Sequence, residues 1–361
     1  MIVTSGAISL KRALRALYQE IAEFRFEYAL VTVPEAGPRE SLQFYWYKYR
    51  NPPRFRSVLR LDSNGIARVW GRTTGVVYRP AFVAMYGLTN RGDYLRNGSH
   101  SHLRTFLNQV NWLEQHAVIR SDGAVVWPQA FDVQEGPVIL KAPWLSANVQ
   151  GFVISALGRG WRIARRPSLL QLLKCSARVF QLDCESKGVR VKAEEHVVYT
   201  QIPGLPDPGI MDGFMTSLLG LYELYVETSD PEVYNLCKQG TERLRYFLPR
   251  WDYRKKWVLD SNGAIRVPPG HHCLNRVLLA ALARLTGGSC FADYAKNWNP
   301  TRLSQLNRAE IYLMFVLTKN ACRLKHRTWR RKPVIPNGLP SASPFAVAPS
   351  TMRMRGTTRH G

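Results

Sequence analysis

Acidic residues are the scarce class in this chain: 26 Asp and Glu stand against 50 Lys and Arg, a formal charge of +24. A surplus of that size raises the local concentration and on-rate of anions through the summed field, without naming the anion. No run of about 20 apolar residues occurs, so no membrane-spanning helix is expected. Lys11, Arg12 and Arg15 interrupt the first apolar positions, so a cleaved signal is not expected either, and the reading is cytoplasmic. The six cysteines, Cys175, Cys184, Cys237, Cys273, Cys290 and Cys322, form no Cys-x-x-Cys pair. They therefore read as thiols in a reducing compartment rather than a disulfide framework. Walker, GxGxxG, GxSxG and HExxH patterns are all missing, which removes support for phosphate-loop, dinucleotide, serine-hydrolase and metalloprotease chemistry.

What is present is mostly helical. Leu10, Ala13, Leu14, Leu17, Ile21 and Phe24 fall at helical spacing and predict an amphipathic helix over residues 8–25, docked on the body or resting on a membrane surface or partner. Leu103, Phe106, Leu107, Val110, Leu113 and Ala117 predict another after a Ser99/Ser101 cap. Further helices are expected at about 147–163, 168–184, 211–227, 231–247, 273–286 and 303–319. Between them Asp62-Ser63-Asn64-Gly65, Ser121-Asp122-Gly123, Ser186-Lys187-Gly188 and Ser261-Asn262-Gly263 are turn signals before short β-prone pieces. Helix pairs joined through hairpin loops predict a mainly α fold, an incomplete (α/α) toroid of antiparallel pairs, with chemistry on the loops at one end. Residues 1–75 read as an N-terminal helix and strand-containing lead-in, 76–322 as the helical domain, and 323–361 as a disordered tail with nine basic residues and no acidic one.

Three segments could carry chemistry. His196, Tyr199, Gln201, Pro203, Gly204, Pro206, Asp207, Pro208 and Gly209 lie in a Pro- and Gly-held loop that ends where a helix starts near Ile210, with Asp212 in its first turn. A rigid loop meeting a helix N-terminus presents free N–H groups to an anion, although such loops are often mere connectors. Trp127 in Val126-Trp127-Pro128, then Trp144, Ser146, Asn148 and Gln150, place aromatics beside amides, which suits sugar rings; each tryptophan could equally be core. His271, His272 and Asn275 open the third. Zinc needs about four ligands, and no second cluster accompanies these histidines, so neither metal nor cofactor is expected.

In order, these segments resemble the D-glucuronyl C5-epimerase family. Pro80, Ala84, Tyr86, Gly87 and Leu88 resemble its Tyr-Pro-Ile-Gln-Ile-Ala-Gln-Tyr-Gly-Leu motif, which brings in Tyr78. Asn111-Trp112-Leu113, Trp127-Pro128 and Trp144 to Gly151 are similar to its helix, Gly-Trp-Pro turn and Trp-Tyr-Ser-Ala-Met-x-Gln-Gly helix. Asp212-Gly213-Phe214-Met215-Thr216-Ser217-Leu218-Leu219-Gly220-Leu221-Tyr222 matches its most specific helix, and Leu274-Asn275 its His-Ile-Asn segment. The resemblance implies a helical toroid without the family's central β-sandwich, acting on a uronic-acid polysaccharide of heparan type, with Tyr78, Trp127, Trp144, Gln150, Gln201, Asp212, Arg250, Arg266 and Asn275 binding substrate.

Epimerisation at C5 removes a proton α to a carboxylate and returns one from the opposite face, which requires a base, an acid and a cation or donor for the enediolate. Where the family has a loop Glu-Tyr, this chain has Gln201-Ile202; the later tyrosines fall on Leu259 and near Pro269, while Arg250-Trp251-Asp252-Tyr253 spells the family's Arg-Trp-Asp-Tyr earlier in the chain. The titratable candidates are thus Tyr199, His196, His271, His272 and Tyr253, with Arg250 or Arg266 on the carboxylate. The alternatives are an acidic-polysaccharide-binding relative without activity, and a lyase, which shares the proton abstraction and then expels the C4 substituent. Nucleic acid is not an expected partner, since no binding motif accompanies the charge; a homodimer stays open.

Overall fold

The computed structural model describes residues 18, 24, 29, 37–42, 59–71, 74–135, 138–193, 196–205, 209–259 and 267–326. Most of the helix expected at 8–25, almost all of the basic tail, and Arg266 lie outside the described residues. So does the side chain of His196. A three-stranded antiparallel sheet, β1 (Leu59–Leu61), β2 (Ala67–Gly71) and β3 (Gly75–Val77), precedes the helices. There follow α1 (Pro80–Asn97), α2 (His100–Gln115), α3 (Ala147–Ala164), α4 (Pro167–Ser176), α5 (Met211–Thr228), α6 (Pro231–Phe247), α7 (Pro269–Thr286), α8 (Ser289–Asn297) and α9 (Gln305–His326).

The helices come in hairpins because the first member of each pair ends in a left-handed residue that reverses the chain. Gly98 (φ 68°), Arg165 (φ 51°), Ser229 (φ 53°) and Gly287 (φ 64°) cap α1, α3, α5 and α7. The left-handed conformation closes the last turn, and glycine adopts it without Cβ strain. Proline at the first position then starts α4 and α6, where its missing N–H costs nothing. Each hairpin packs internally, while α1, α3, α5 and α7 pack against one another in series. This is an incomplete (α/α) toroid: four inner helices in an arc, four outer helices behind them. No packing of comparable extent joins α7 back to α1 among the described residues.

Small residues set the tightest contact. A Cβ on Gly151 would lie 2.6 Å from the Thr216 carbonyl oxygen, and one on Gly220 would lie 2.5 Å from that of Gly151. Bare glycine backbone therefore lets α3 and α5 approach closely, and both helices are buried nearly all round. The main core runs from Leu42 through Phe106, Phe152, Phe214 and Phe247 to Trp298, and a smaller cluster joins Phe24, Trp257, Ile311 and Phe315. The segment Pro38–Glu40 also packs on α3 and α5.

The connections are unequal. Two residues link each inner helix to its outer partner, whereas residues 116–146, 177–210 and 248–268 lead from an outer helix to the next inner one. Those longer connectors hold hairpins β4 (Val118–Ile119)/β5 (Val125–Val126), β6 (Val133–Glu135)/β7 (Val138–Leu140), β8 (Arg190–Ala193)/β9 (His196–Tyr199) and β10 (Asp252–Tyr253)/β11 (Trp257–Val258). They gather where α3, α5 and α7 begin. Two expectations shift in detail. The helix expected at 168–184 stops at Ser176, because Gln150 takes the Ser176 carbonyl and the chain tightens into a 3₁₀ turn at Arg178–Gln181. Ser99 sits at the start of α2, but its hydroxyl pairs with Ser101 rather than capping an N–H.

Candidate active site

The first turns of the inner helices carry the polar side chains that face one another. Asp212 stands in the first turn of α5, where the helix dipole favours a carboxylate, and its Oδ1 accepts the Gly213 N–H at 2.8 Å. Its Oδ2 lies 3.0 Å from Nδ1 of His271, in the first turn of α7. The carboxylate side chain is 12% exposed and the imidazole 60%. The buried acid thus orients an accessible imidazole through its Nδ1, the arrangement of carboxylate–histidine pairs that serve as bases.

Several buried amide oxygens on the elements that meet here have no hydrogen-bond partner among the described residues. Asn275, one turn after His271, donates Nδ2 to the His271 carbonyl at 2.8 Å, and its Oδ1 is buried and unpaired. Gln201 packs onto Gly213, whose missing Cβ leaves the space that the Gln201 side chain fills, and its Oε1 is also buried and unpaired. The Gln201 loop is joined to α3 through Ala147 N–H to Thr200 O at 2.9 Å, and the next residue, Asn148, has an unpaired buried Oδ1. Gln129, held by paired backbone bonds to Trp144, contributes a fourth such oxygen. Buried acceptors are nearly always satisfied, so these oxygens mark places for ordered water inside the fold. At the start of α1 the Arg79 guanidinium sits 4.2 Å from the centre of the Phe131 ring, which itself meets Trp144 edge-on.

Several expected site residues lie within the packed framework. Tyr199 is fully buried between Phe180 and Phe214, and its hydroxyl donates to Leu236 O at 2.9 Å; burial drives its pKa far up, so it is no proton donor at neutral pH. His272 is fully buried, stacked 3.7 Å from Trp257, with Nδ1 accepting from Val258 N–H and Nε2 donating to Trp298 O. Complete burial pushes its pKa down to about 3, so it is a neutral strut. Trp127 is buried with its indole N–H on Leu113 O, and Gln150 is buried with Nε2 on Val125 O and Ser176 O. Trp144, half-buried, spends its indole N–H on Phe131 O. Three more candidates stand apart from the pair. Tyr253 bonds Glu310 of α9, Arg250 lies over the Tyr246 and Phe247 rings, and Tyr78 stacks on Trp112 with its hydroxyl on Asp62.

Residues 121–300 match the family described as D-glucuronyl C5-epimerase C-terminus. The chain belongs to that family through this region. It is 25% identical over 221 residues to D-glucuronyl C5-epimerase of Caenorhabditis elegans, a match covering 56% of this chain and 35% of the relative. An uncharacterized protein of Methanocaldococcus jannaschii is 22% identical over 179 residues, covering 48% of this chain and 57% of that one. The chain thus spans about a third and somewhat over half of these relatives' lengths. An unsaturated glucuronyl hydrolase specific for heparin has a TM-score of 0.43 and 13% identity over 87% of this chain and 98% of its own. Among the described residues, no helix is long and apolar enough to cross a membrane, and no three metal-binding side chains cluster.

Gln129 and Arg79 did not stand out as candidates from sequence, whereas Asn148 already belonged to the amide pair beside Trp144. The signal for Gln129 was there: it is a polar residue inside an otherwise apolar run, Val-Trp-Pro-Gln.

Proposed function

We propose that this chain acts on a glucuronic-acid-containing polysaccharide as an isomerase of the C5-epimerase type, with His271 as the base and Asp212 holding it in position. The Asp212–His271 pair carries the proposal, because it supplies an accessible imidazole at the loop end of a toroid whose family is the C5-epimerase C-terminus. The C5 proton passes to Nε2 of His271, the C5–H electron pair moves into the adjacent carboxylate as an enediolate, a solvent water on the opposite face returns a proton to C5 to give the epimer, and His271 releases its proton to the hydroxide left behind. The +24 chain draws in the polyanion. The lyase alternative begins with the same abstraction and diverges when the C4 bond breaks.

Incubation with a glucuronate polymer in heavy water decides between them. Deuterium at C5 without chain cleavage supports the epimerase, and deuterium with unsaturated chain ends supports the lyase. Saturable binding with no exchange would leave a binding protein, and the absence of both with any uronate polymer would remove the proposal.

A further inference from the structure

A groove of about 560 Å³ that shares no lining residue with the Asp212–His271 site lies on the α1–α2 hairpin, where the turn between β1 and β2 leans on α2. Its volume falls within the roughly 300–1,000 Å³ of small-molecule sites. The residues that give it chemistry are Asn64, Tyr86, Arg104, Asn108 and Asn111, with Leu61 at one side. Among the described residues, no acidic side chain lines it. Arg104 is exposed and has no ion pair among the described residues. Amides and a cation around the apolar faces of Leu61 and Tyr86 match a sugar ring bearing a carboxylate.

The wall is built in advance. Asp62 Oδ1 accepts the N–H groups of Asn64 at 2.9 Å and Ile66 at 2.8 Å, and Gly65 (φ 73°) supplies the left-handed step of the turn. Two α2 side chains clamp that turn. Asn108 Nδ2 donates to Asn64 O at 2.5 Å, and Gln109 bonds both Gly65 O, at 2.9 Å, and Ala67 N–H, at 3.0 Å. A fixed wall loses little freedom when a ligand arrives. The Asp-Ser-Asn-Gly turn, unexplained by the inner-helix site, thereby acquires a role.

We propose that this groove is a second binding site for a uronate residue of the same polymer, with Arg104 on its carboxylate. The proposal rests on the substrate class assigned above. The test is titration calorimetry of the full chain with a short glucuronate oligosaccharide, comparing wild type, Arg104→Glu, Arg104→Lys and Asp212→Ala/His271→Ala. Two sites per chain are expected in wild type and in Arg104→Lys. Arg104→Glu should weaken the groove site by about tenfold or more, as loss of a charged hydrogen bond does, leaving one site. The Asp212→Ala/His271→Ala variant should retain the groove site alone. A single wild-type site that vanishes in that double variant and is unchanged in Arg104→Glu overturns the groove and leaves the proposed function standing. A single site lost only in Arg104→Glu supports the groove and counts against the Asp212–His271 pair. No binding at all, or equal binding of a neutral glucose oligosaccharide at the groove, overturns the proposal.

Discussion

Replacing Glu223 by Ala tests the packing account most severely. This carboxylate lies inside the toroid on α5 and takes four donors: Ser41 Oγ at 2.8 Å, Leu42 N–H at 2.8 Å, Ser155 Oγ at 2.6 Å and Arg159 Nη2 at 3.2 Å. Both charged side chains are 4% exposed. Arg159 also donates to Leu42 O at 2.7 Å, so the pair ties residues 41–42 to α3 and α5. Removing one member of a buried ion pair leaves the other charge unsatisfied and costs about 3–5 kcal/mol. With an unfolding entropy of about 2.1 cal/mol/K per residue over 361 residues, that is a fall in Tm of about 4–7 °C. Thermal melts of Glu223→Ala, Arg159→Met and the double variant provide the check. The double variant should lose clearly less than the sum of the singles, because neither charge is then left alone. A loss below about 1 kcal/mol in Glu223→Ala, or strict additivity, would refute the reasoning.

Other consequences are as direct. His272 is neutral in the fold with a pKa near 3 and has an ordinary value of 6.5 when unfolded. The unfolded chain therefore binds the extra proton between these values, and stability falls as pH drops from 6.5 toward 3, by about 1.4 kcal/mol per pH unit; Tm measured at pH 7 and pH 5 should show a smaller drop in His272→Gln than in wild type. Gly220→Ala drives a Cβ to 2.5 Å from the Gly151 carbonyl oxygen and should cost about 1–3 kcal/mol in urea unfolding. Gly158→Ala, on the same inner helix as Gly151 but with open space at the Cβ, should instead gain about 0.5–1 kcal/mol. Asp212→Asn keeps the shape and removes the charge beside His271, so kcat should fall by about 10²–10⁴-fold with KM little changed.

The toroid was legible in sequence because its causes are local. Apolar spacing marks the outer helix α2, near-continuous apolar and small residues mark α3 and α5, and turn dipeptides mark the hairpins. The site was only half legible. His271 and His272 are neighbours, and successive residues on a helix point about 100° apart, so only one can meet Asp212. Which one does depends on the rotation of α7, set by Trp257 and Trp298, residues outside the helix itself. Tyr199 looked as reactive as any tyrosine until Phe180 and Phe214 closed over it. The Arg159–Glu223 pair joins residues 64 apart in the chain, a separation at which periodicity carries no information.

The central claim is that His271, oriented by Asp212, takes the C5 proton of a uronate. Deuterium incorporation at C5 from heavy water, measured side by side for wild type and His271→Ala on a glucuronate polymer that both bind, tests it most directly. The account predicts exchange by wild type and none above background by the variant, with binding retained; equal exchange by the two proteins would contradict it.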